Sequence, residues 1–139
     1  MEDAFPQPEA SWIHRVSYGE TDAMAIVYYA NYLHWFEQGR SFFIREQGMG
    51  YSQIEEKGVY LPVREACCRY LASAKYDQEV SVRTGIGKWG RASLTFYYEV
   101  YNLSESNKLI TTGHTQHACV NAQGKPVALP EWLKDLFKE

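Results

Sequence analysis

The strongest candidate for chemistry is an acidic residue in a turn just ahead of a long helical pattern. Asp22 follows the turn-forming segment 19–21 and precedes the apolar run 23–28. A lone turn aspartate usually forms a cap or an Asx-turn, but the apolar run predicts a buried or covered loop, where a carboxylate is suited to act as a base or nucleophile. A helix that starts near Tyr29 would point unpaired amides at the same pocket, where they could bind a carbonyl oxygen.

Other reactive side chains lack the spacing of a metal site or a catalytic triad. His114 and His117 are three residues apart in a strand pattern, so they point to opposite faces. We therefore expect no metal site and no cofactor. Cys67 and Cys68 are adjacent, and the total of three cysteines predicts buried reduced thiols in a cytoplasmic protein rather than a disulfide framework.

Length and charge limit the possible partners. The 139 residues predict one domain, placed at 12–139 behind a flexible arm, 1–11, that contains two prolines. A net charge of −3 argues against nucleic acid as the partner, because phosphate binding needs a basic excess. No apolar run approaches the roughly 18 residues of a membrane span, and the N-terminus lacks the regions of a signal peptide.

The periodicity of the sequence predicts a strand, a long helix and then four strands. We expect the first strand at 12–18, the long helix at 28–47, a helical turn at 52–57, strands at 59–71, 79–89, 91–103 and 109–120, and a short helix after Pro130. The predicted apolar stripe of the long helix is Tyr29, Tyr32, Leu33, Phe36, Arg40, Phe43 and Ile44. Strands joined by short turns are antiparallel, so the predicted fold class is α+β, with the helix packed on one face of the sheet.

The loop and helix also resemble a known family. The segment 18–32, Y-G-E-T-D-A-M-A-I-V-Y-Y-A-N-Y, continuing to Trp35-Phe36-Glu37 and Arg40, is similar to the signature of hotdog-fold acyl-CoA thioesterases of the 4-hydroxybenzoyl-CoA thioesterase type, which include small bacterial thioesterases associated with the Tol–Pal system. Segments 62–65, 70–77, 93–100 and 124–130 support the likeness. The resemblance implies a hotdog fold, an acyl-CoA substrate and assembly into a homodimer or homotetramer with active sites at the dimer interface.

The resemblance also implies roles for residues of the loop. Asp22 would be the catalytic carboxylate, acting either as a nucleophile or as a general base, and the backbone amide of Tyr29 would bind the thioester oxygen. Ala25 stands where the family usually has glycine, and Tyr29 stands where many members have histidine. We expect Ala25 and Tyr28 to lie beside the acyl group.

Four further residues are candidates for substrate binding. Glu65 is in phase with the apolar positions of its strand, which predicts a buried carboxylate that is either structural or catalytic. Lys88 and Arg91 flank Trp89 in a turn between strands. This turn is either a solvated surface or, by the resemblance, a clamp for the CoA phosphates with Trp89 against the adenine.

Glu37 and Arg40 also match the family motif, and two rival functions stay open. Glu37 and Arg40 are expected to form an ion pair within the helix. The same fold could also serve a hydratase or dehydratase, although that chemistry needs a histidine that the Asp22 loop lacks, or a non-catalytic module that binds acyl-CoA or an acyl carrier protein without needing Asp22.

Overall fold

The computed structural model describes residues 4–138, and its elements follow the predicted order. They are β1 (Glu9–Arg15), a 3-10 turn (Tyr18–Glu20), α1 (Asn31–Glu46), α2 (Tyr51–Glu56), β2 (Val63–Tyr70), β3 (Glu79–Trp89), β4 (Ser93–Asn102), β5 (Lys108–Ala118) and α3 (Glu131–Phe137). The five strands form one sheet in the order β1-β3-β4-β5-β2, and every pair is antiparallel. The predicted α+β class is confirmed. No helix within residues 4–138 is long and apolar enough to cross a membrane.

The first strand begins earlier than the alternation predicts. Glu9 already pairs with Gly85, and Ser11 pairs with Arg83. Phe5 lies against the Arg83 guanidinium, 4.2 Å from it. Residues 9–11, which the sequence assigns to a flexible arm, are therefore part of the sheet, and residues 1–3 of that arm lie outside the described chain.

The buried face of α1 differs from the predicted stripe. The buried residues are Tyr32, Trp35, Phe36, Gly39, Phe43 and Ile44, whereas Tyr29 and Leu33 are exposed. Gly39 explains the difference, because a Cβ there would lie 2.8 Å from the side chains of both Val82 and Thr84. The missing side chain lets α1 lie directly on β3, and this turns Trp35 inward and Leu33 outward.

The sheet face under α1 matches the alternation of β4. Leu94, Phe96, Tyr98 and Val100, which occupy alternate positions of the strand, are buried. The Phe36 ring stacks on the Tyr98 ring with centroids 4.1 Å apart. This contact joins the centre of α1 to the centre of the sheet.

A chain of polar groups crosses this core. Arg40 Nη1 donates to the Tyr98 hydroxyl at 3.4 Å, the Tyr98 and Thr115 hydroxyls are 2.6 Å apart, and Thr115 Oγ1 is 2.8 Å from Nε2 of His117. His117 Nδ1 lies 2.8 Å from the Leu61 carbonyl. A carbonyl only accepts, so Nδ1 of His117 donates to it and Nε2 accepts from Thr115, which in turn accepts from Tyr98. Burial lowers the pKa of His117 to about 4.

The expected ion pair between Glu37 and Arg40 does not form. Arg40 turns inward to the Tyr98 hydroxyl, and the Glu37 carboxylate lies 3.7 Å from His34 instead. The buried hydroxyl supplies the partner that a guanidinium on the apolar side of a helix needs.

One edge of the sheet is open. The strand β2 pairs only with β5, and almost all of its residues are exposed. The prediction that Glu65 is buried is wrong, since its side chain is 66% exposed and lies 3.4 Å from His114 on the sheet face away from α1. Cys67 is also exposed, and Cys68 is partly buried against the core. The face of this strand that carries Glu65 and Cys67 is exposed within residues 4–138, so the alternation does not produce a buried side there.

Candidate active site

The loop that carries Asp22 is a tight hairpin connection. The Asp22 amide donates to the Ile26 carbonyl and the Ala25 amide donates to the Asp22 carbonyl, both at 2.9 Å. Ala25 has a φ of 66°, the left-handed conformation that favours glycine. A three-residue connection commonly ends on such a residue, which accounts physically for the family's preference for glycine at this position.

The Asp22 carboxylate is oriented but not saturated. Its Oδ1 accepts a hydrogen bond from the Met24 amide at 2.8 Å, so the Asx-turn expected of a turn aspartate does form. Its Oδ2 accepts no hydrogen bond from the described residues. One oxygen therefore fixes the side chain, and the other remains available for a reacting group.

The first residues before α1 present two unpaired amides. The Tyr28 amide donates to the Glu20 carbonyl at 2.8 Å, and the Asn31 amide donates to the Tyr28 carbonyl at 2.9 Å. Between them, the amides of Tyr29 and Ala30 donate to no acceptor in residues 4–138. Amides at a helix start are suited to bind an oxyanion.

Glu20 links the strand, turn and helix of this region, and it is not among the site residues predicted from the sequence. Its carboxylate accepts hydrogen bonds from Trp35 Nε1 at 2.7 Å, His14 Nε2 at 2.8 Å and the Ser17 amide at 2.7 Å. Burial raises the pKa of Glu20, but the hydrogen bonds from Trp35, Ser17 and His14 outweigh it and the net shift is downward. The Ser-x-x-Glu spacing from Ser17 is that of a capping box, which is the sequence signal that could have revealed it.

Tyrosine rings line the helix start. The rings of Tyr28 and Tyr29 are 4.7 Å apart, and the Tyr70 hydroxyl donates to the Tyr29 carbonyl at 3.0 Å. Tyr70 comes from β2, and no spacing in the sequence links it to this loop. Tyr29 thus adds an exposed aromatic ring to the helix start.

The loop is not covered within one chain. Met24 is 77% exposed and Ala23 and Ala25 are exposed as well. The prediction that the apolar run buries Asp22 is therefore wrong for a single chain, and Asp22 itself is only half-buried.

The structure brings together only part of the predicted set. It gathers Asp22, Ala25, Tyr28 and Tyr29 in one loop and helix start. The turn with Lys88, Trp89 and Arg91 lies elsewhere, because the Asp22 loop adjoins residues 74–75, just before β3, whereas Trp89 ends that strand. The 11 residues of β3 separate the two ends by about 33 Å.

Trp89 and Glu65 are also engaged away from the loop. The Trp89 ring packs against Phe137 of α3 with centroids 6.4 Å apart. Glu65 lies on the open sheet face with His114. Their roles in substrate binding stay predictions. No group of three metal-ligating side chains occurs among the residues that the structure describes.

Comparisons with a family model and with curated proteins match thioesterases. Residues 16–137 match the family described as the thioesterase-like superfamily. The chain is 36% identical over 122 residues to a Bacillus subtilis protein provisionally named acyl-CoA thioesterase YneP, covering 84% of this chain and 87% of that protein. It is 30% identical over 129 residues to the acyl-CoA thioester hydrolase YbgC of Escherichia coli, covering 92% of this chain and 95% of that protein.

Solved structures agree with the fold. A protein of Aquifex aeolicus superposes with a TM-score of 0.86 at 29% identity, over 93% of this chain and 99% of the other. A 4-hydroxybenzoyl-CoA thioesterase superposes with a TM-score of 0.85 at 18% identity, over 94% and 99% of the two chains, a likeness that concerns the fold alone. The predicted hotdog fold is confirmed.

Proposed function

The chain belongs to the thioesterase-like superfamily and is a thioester hydrolase, and from that premise we propose that it hydrolyses acyl-CoA to a free acid and CoA with Asp22 as the catalytic carboxylate. The observation that supports this role most directly is the free Oδ2 of Asp22 next to a helix start with two unpaired amides. The bridge between Thr21 and Val27 and the hydrogen bond from Tyr28 to Glu20 join the two parts.

Asp22 acts by one of two routes. As a nucleophile, its carboxylate oxygen bonds to the thioester carbon, the C–S bond breaks with CoA leaving as a thiolate, and water then hydrolyses the acyl anhydride. As a general base, Asp22 takes a proton from a water molecule whose oxygen bonds to the same carbon; the C–S bond then breaks, and the proton passes from Asp22 to the leaving CoA thiolate. Both routes place negative charge on the thioester oxygen.

The amide of Tyr29 donates a hydrogen bond to that negatively charged oxygen, with the Ala30 amide beside it. A single donor of this kind contributes about 10²–10³ in rate. The backbone supplies the group, so the replacement of the family's usual histidine by Tyr29 leaves this part of the site intact. The Tyr28 ring and the Ala25 methyl group lie where they contact the acyl chain.

A second copy of the chain completes the site. Antiparallel pairing of the β2 edges of two copies would turn the partner's sheet end for end. The partner's turn with Lys88, Trp89 and Arg91 would then lie toward the Asp22 end of this chain, where it binds the nucleotide part of CoA. The same pairing covers the open edge and the exposed apolar loop.

The test of this function is thiol release from a panel of thioesters. Short aliphatic, long aliphatic and aromatic acyl-CoAs, and one acyl carrier protein thioester, are incubated with the protein and a thiol-reactive chromophore. We expect release of one thiol per acid formed with at least one class. Binding of acyl-CoA without thiol release would instead identify a binding module, and hydration of an enoyl-CoA without release would identify a hydratase.

A further inference from the structure

We propose that Glu20 is a positioning residue for hydrolysis, which fixes the Asp22 loop and the oxyanion amides relative to each other. This proposal rests on the proposed function of Asp22. Glu20 does not reach the substrate itself, because its side chain is only 16% exposed and both of its carboxylate oxygens accept hydrogen bonds from the protein.

The side chain of Glu20 joins three separate elements. Oε1 accepts from the Ser17 amide and from His14 of β1, and Oε2 accepts from Trp35 of α1. Trp35 is fully buried, so its ring nitrogen has no access to solvent and depends on Glu20 for a partner. The strand before the loop and the helix after it are thereby tied to one carboxylate two residues from Asp22.

The backbone of Glu20 sets which amides are free. Its carbonyl accepts from the Tyr28 amide and from the side chain of Asn31, both at 2.8 Å. The bond from the Tyr28 amide engages the amide immediately before Tyr29. The next two amides, of Tyr29 and Ala30, have no acceptor within residues 4–138. A shift of Glu20 would therefore move the carboxylate of Asp22 and the oxyanion donors apart.

The arrangement needs a carboxylate rather than an amide. Donors face both oxygens of Glu20, since the Ser17 amide lies at Oε1 and the Trp35 ring nitrogen at Oε2. In Glu20→Gln, the amide NH₂ would face one of these donors whichever way the side chain turns. The conflict loosens the tie without removing any group that contacts substrate.

The experiment measures kcat and KM for Glu20→Gln with the best acyl-CoA of the panel. We expect kcat to fall about 10- to 100-fold with KM changed less than about threefold, as for a small misplacement of catalytic groups. The matched control is Glu131→Gln, which removes the same charge at an exposed site on α3 and leaves both constants unchanged. Thermal unfolding and chain assembly are recorded for each variant.

A double-mutant cycle separates positioning from a general structural role. Asp22→Asn alone should lower kcat by at least about 10²-fold, and adding Glu20→Gln should then cause less than about a twofold further loss, because there is no longer a carboxylate to position. Full additivity of the two losses would overturn the proposal. Wild-type turnover in Asp22→Asn would instead overturn the proposed function, and wild-type turnover in Glu20→Gln alone would overturn only the positioning role.

A second variant keeps the proposal testable if Glu20→Gln does not fold. Trp35→Phe keeps a buried aromatic ring but removes the indole N–H that donates to Oε2 of Glu20, together with part of the ring volume. We expect a fall in kcat of about three- to tenfold at unchanged KM, and no such fall in the Asp22→Asn background. An unchanged kcat in folded Trp35→Phe would contradict the proposal.

Discussion

Protonation of His117 should destabilise the folded chain in mildly acidic solution. The ring is 1% exposed, and its neutral form is fixed by the Leu61 carbonyl on one nitrogen and the Thr115 hydroxyl on the other. A second ring proton would have to displace the Thr115 hydroxyl proton toward Tyr98, whose other neighbour, Arg40, cannot accept one. Burial accordingly lowers the pKa of His117 from 6.5 to about 4.

The sign and size of the effect follow from linkage. Between these two pKa values the unfolded chain binds a proton that the folded chain does not, so the free energy of unfolding falls as the pH falls below 6.5 and levels off below 4. At about 1.4 kcal/mol per pH unit and proton, the full loss from His117 is about 3 kcal/mol. About half of it occurs between pH 6.5 and pH 5, where carboxylates contribute little.

Urea unfolding at a series of pH values and one protein concentration measures this loss. In His117→Gln, the side-chain amide can still donate to the Leu61 carbonyl and accept from Thr115, but it does not titrate. We expect the loss between pH 6.5 and pH 5 to be smaller by about 1–2 kcal/mol in this variant. His34→Gln, which replaces an exposed histidine, should behave as the wild type.

An equal pH dependence of the free energy of unfolding in wild type and His117→Gln would contradict the predicted destabilisation by His117. It would mean that His117 titrates alike in the folded and unfolded chains, and hence that the hydrogen-bond chain through Tyr98 does not fix the neutral ring. A smaller difference with the same sign would mean that the folded pKa lies above 4.

Three further predictions concern the loop, the CoA contacts and the assembly. Ala25→Gly should raise the free energy of unfolding by up to about 1 kcal/mol. The left-handed conformation costs a residue with a Cβ about 1–2 kcal/mol, and the larger conformational entropy of glycine in the unfolded chain offsets about 0.4–1 kcal/mol of the gain. A lower free energy of unfolding in urea would contradict this prediction. Lys88→Ala with Arg91→Ala should raise KM for acyl-CoA but leave hydrolysis of a truncated acyl-pantetheine nearly unchanged, and equal losses on both substrates would exclude a nucleotide clamp. Light scattering over a dilution series should show a dimer or tetramer whose dissociation abolishes activity, and a fully active 16.1 kDa monomer would contradict the shared site.

Regular elements could be predicted from the sequence where local periodicity and tertiary environment agree. The bounds of β3 match the structure residue for residue, and the buried side of β4 follows its alternation. The α1 face could not be predicted as well, because its position depends on the close approach of Gly39 to β3. The alternation of β2 misleads for a related reason, since within residues 4–138 the face that carries Glu65 and Cys67 is exposed and only part of the other face packs against the core.

The candidate site was predictable only in part. Asp22 and the helix start lie next to each other in the sequence, so their pairing could be inferred from the pattern. Tyr70 reaches Tyr29 from a strand 41 residues away, and no local spacing records that contact. The role of Glu20 likewise depends on His14 and Trp35, which only the fold brings to one carboxylate.

The turnover of Asp22→Asn on the best acyl-CoA substrate, followed by thiol release, decides whether Asp22 is the catalytic carboxylate. The asparagine keeps the size of the side chain and can still accept from the Met24 amide, but it has neither charge nor basicity. We expect a fall in kcat of at least about 10²-fold with folding and CoA affinity retained, and an unchanged kcat in the control Asp135→Asn, which replaces an exposed aspartate of α3. Wild-type turnover in folded Asp22→Asn would contradict that role of Asp22.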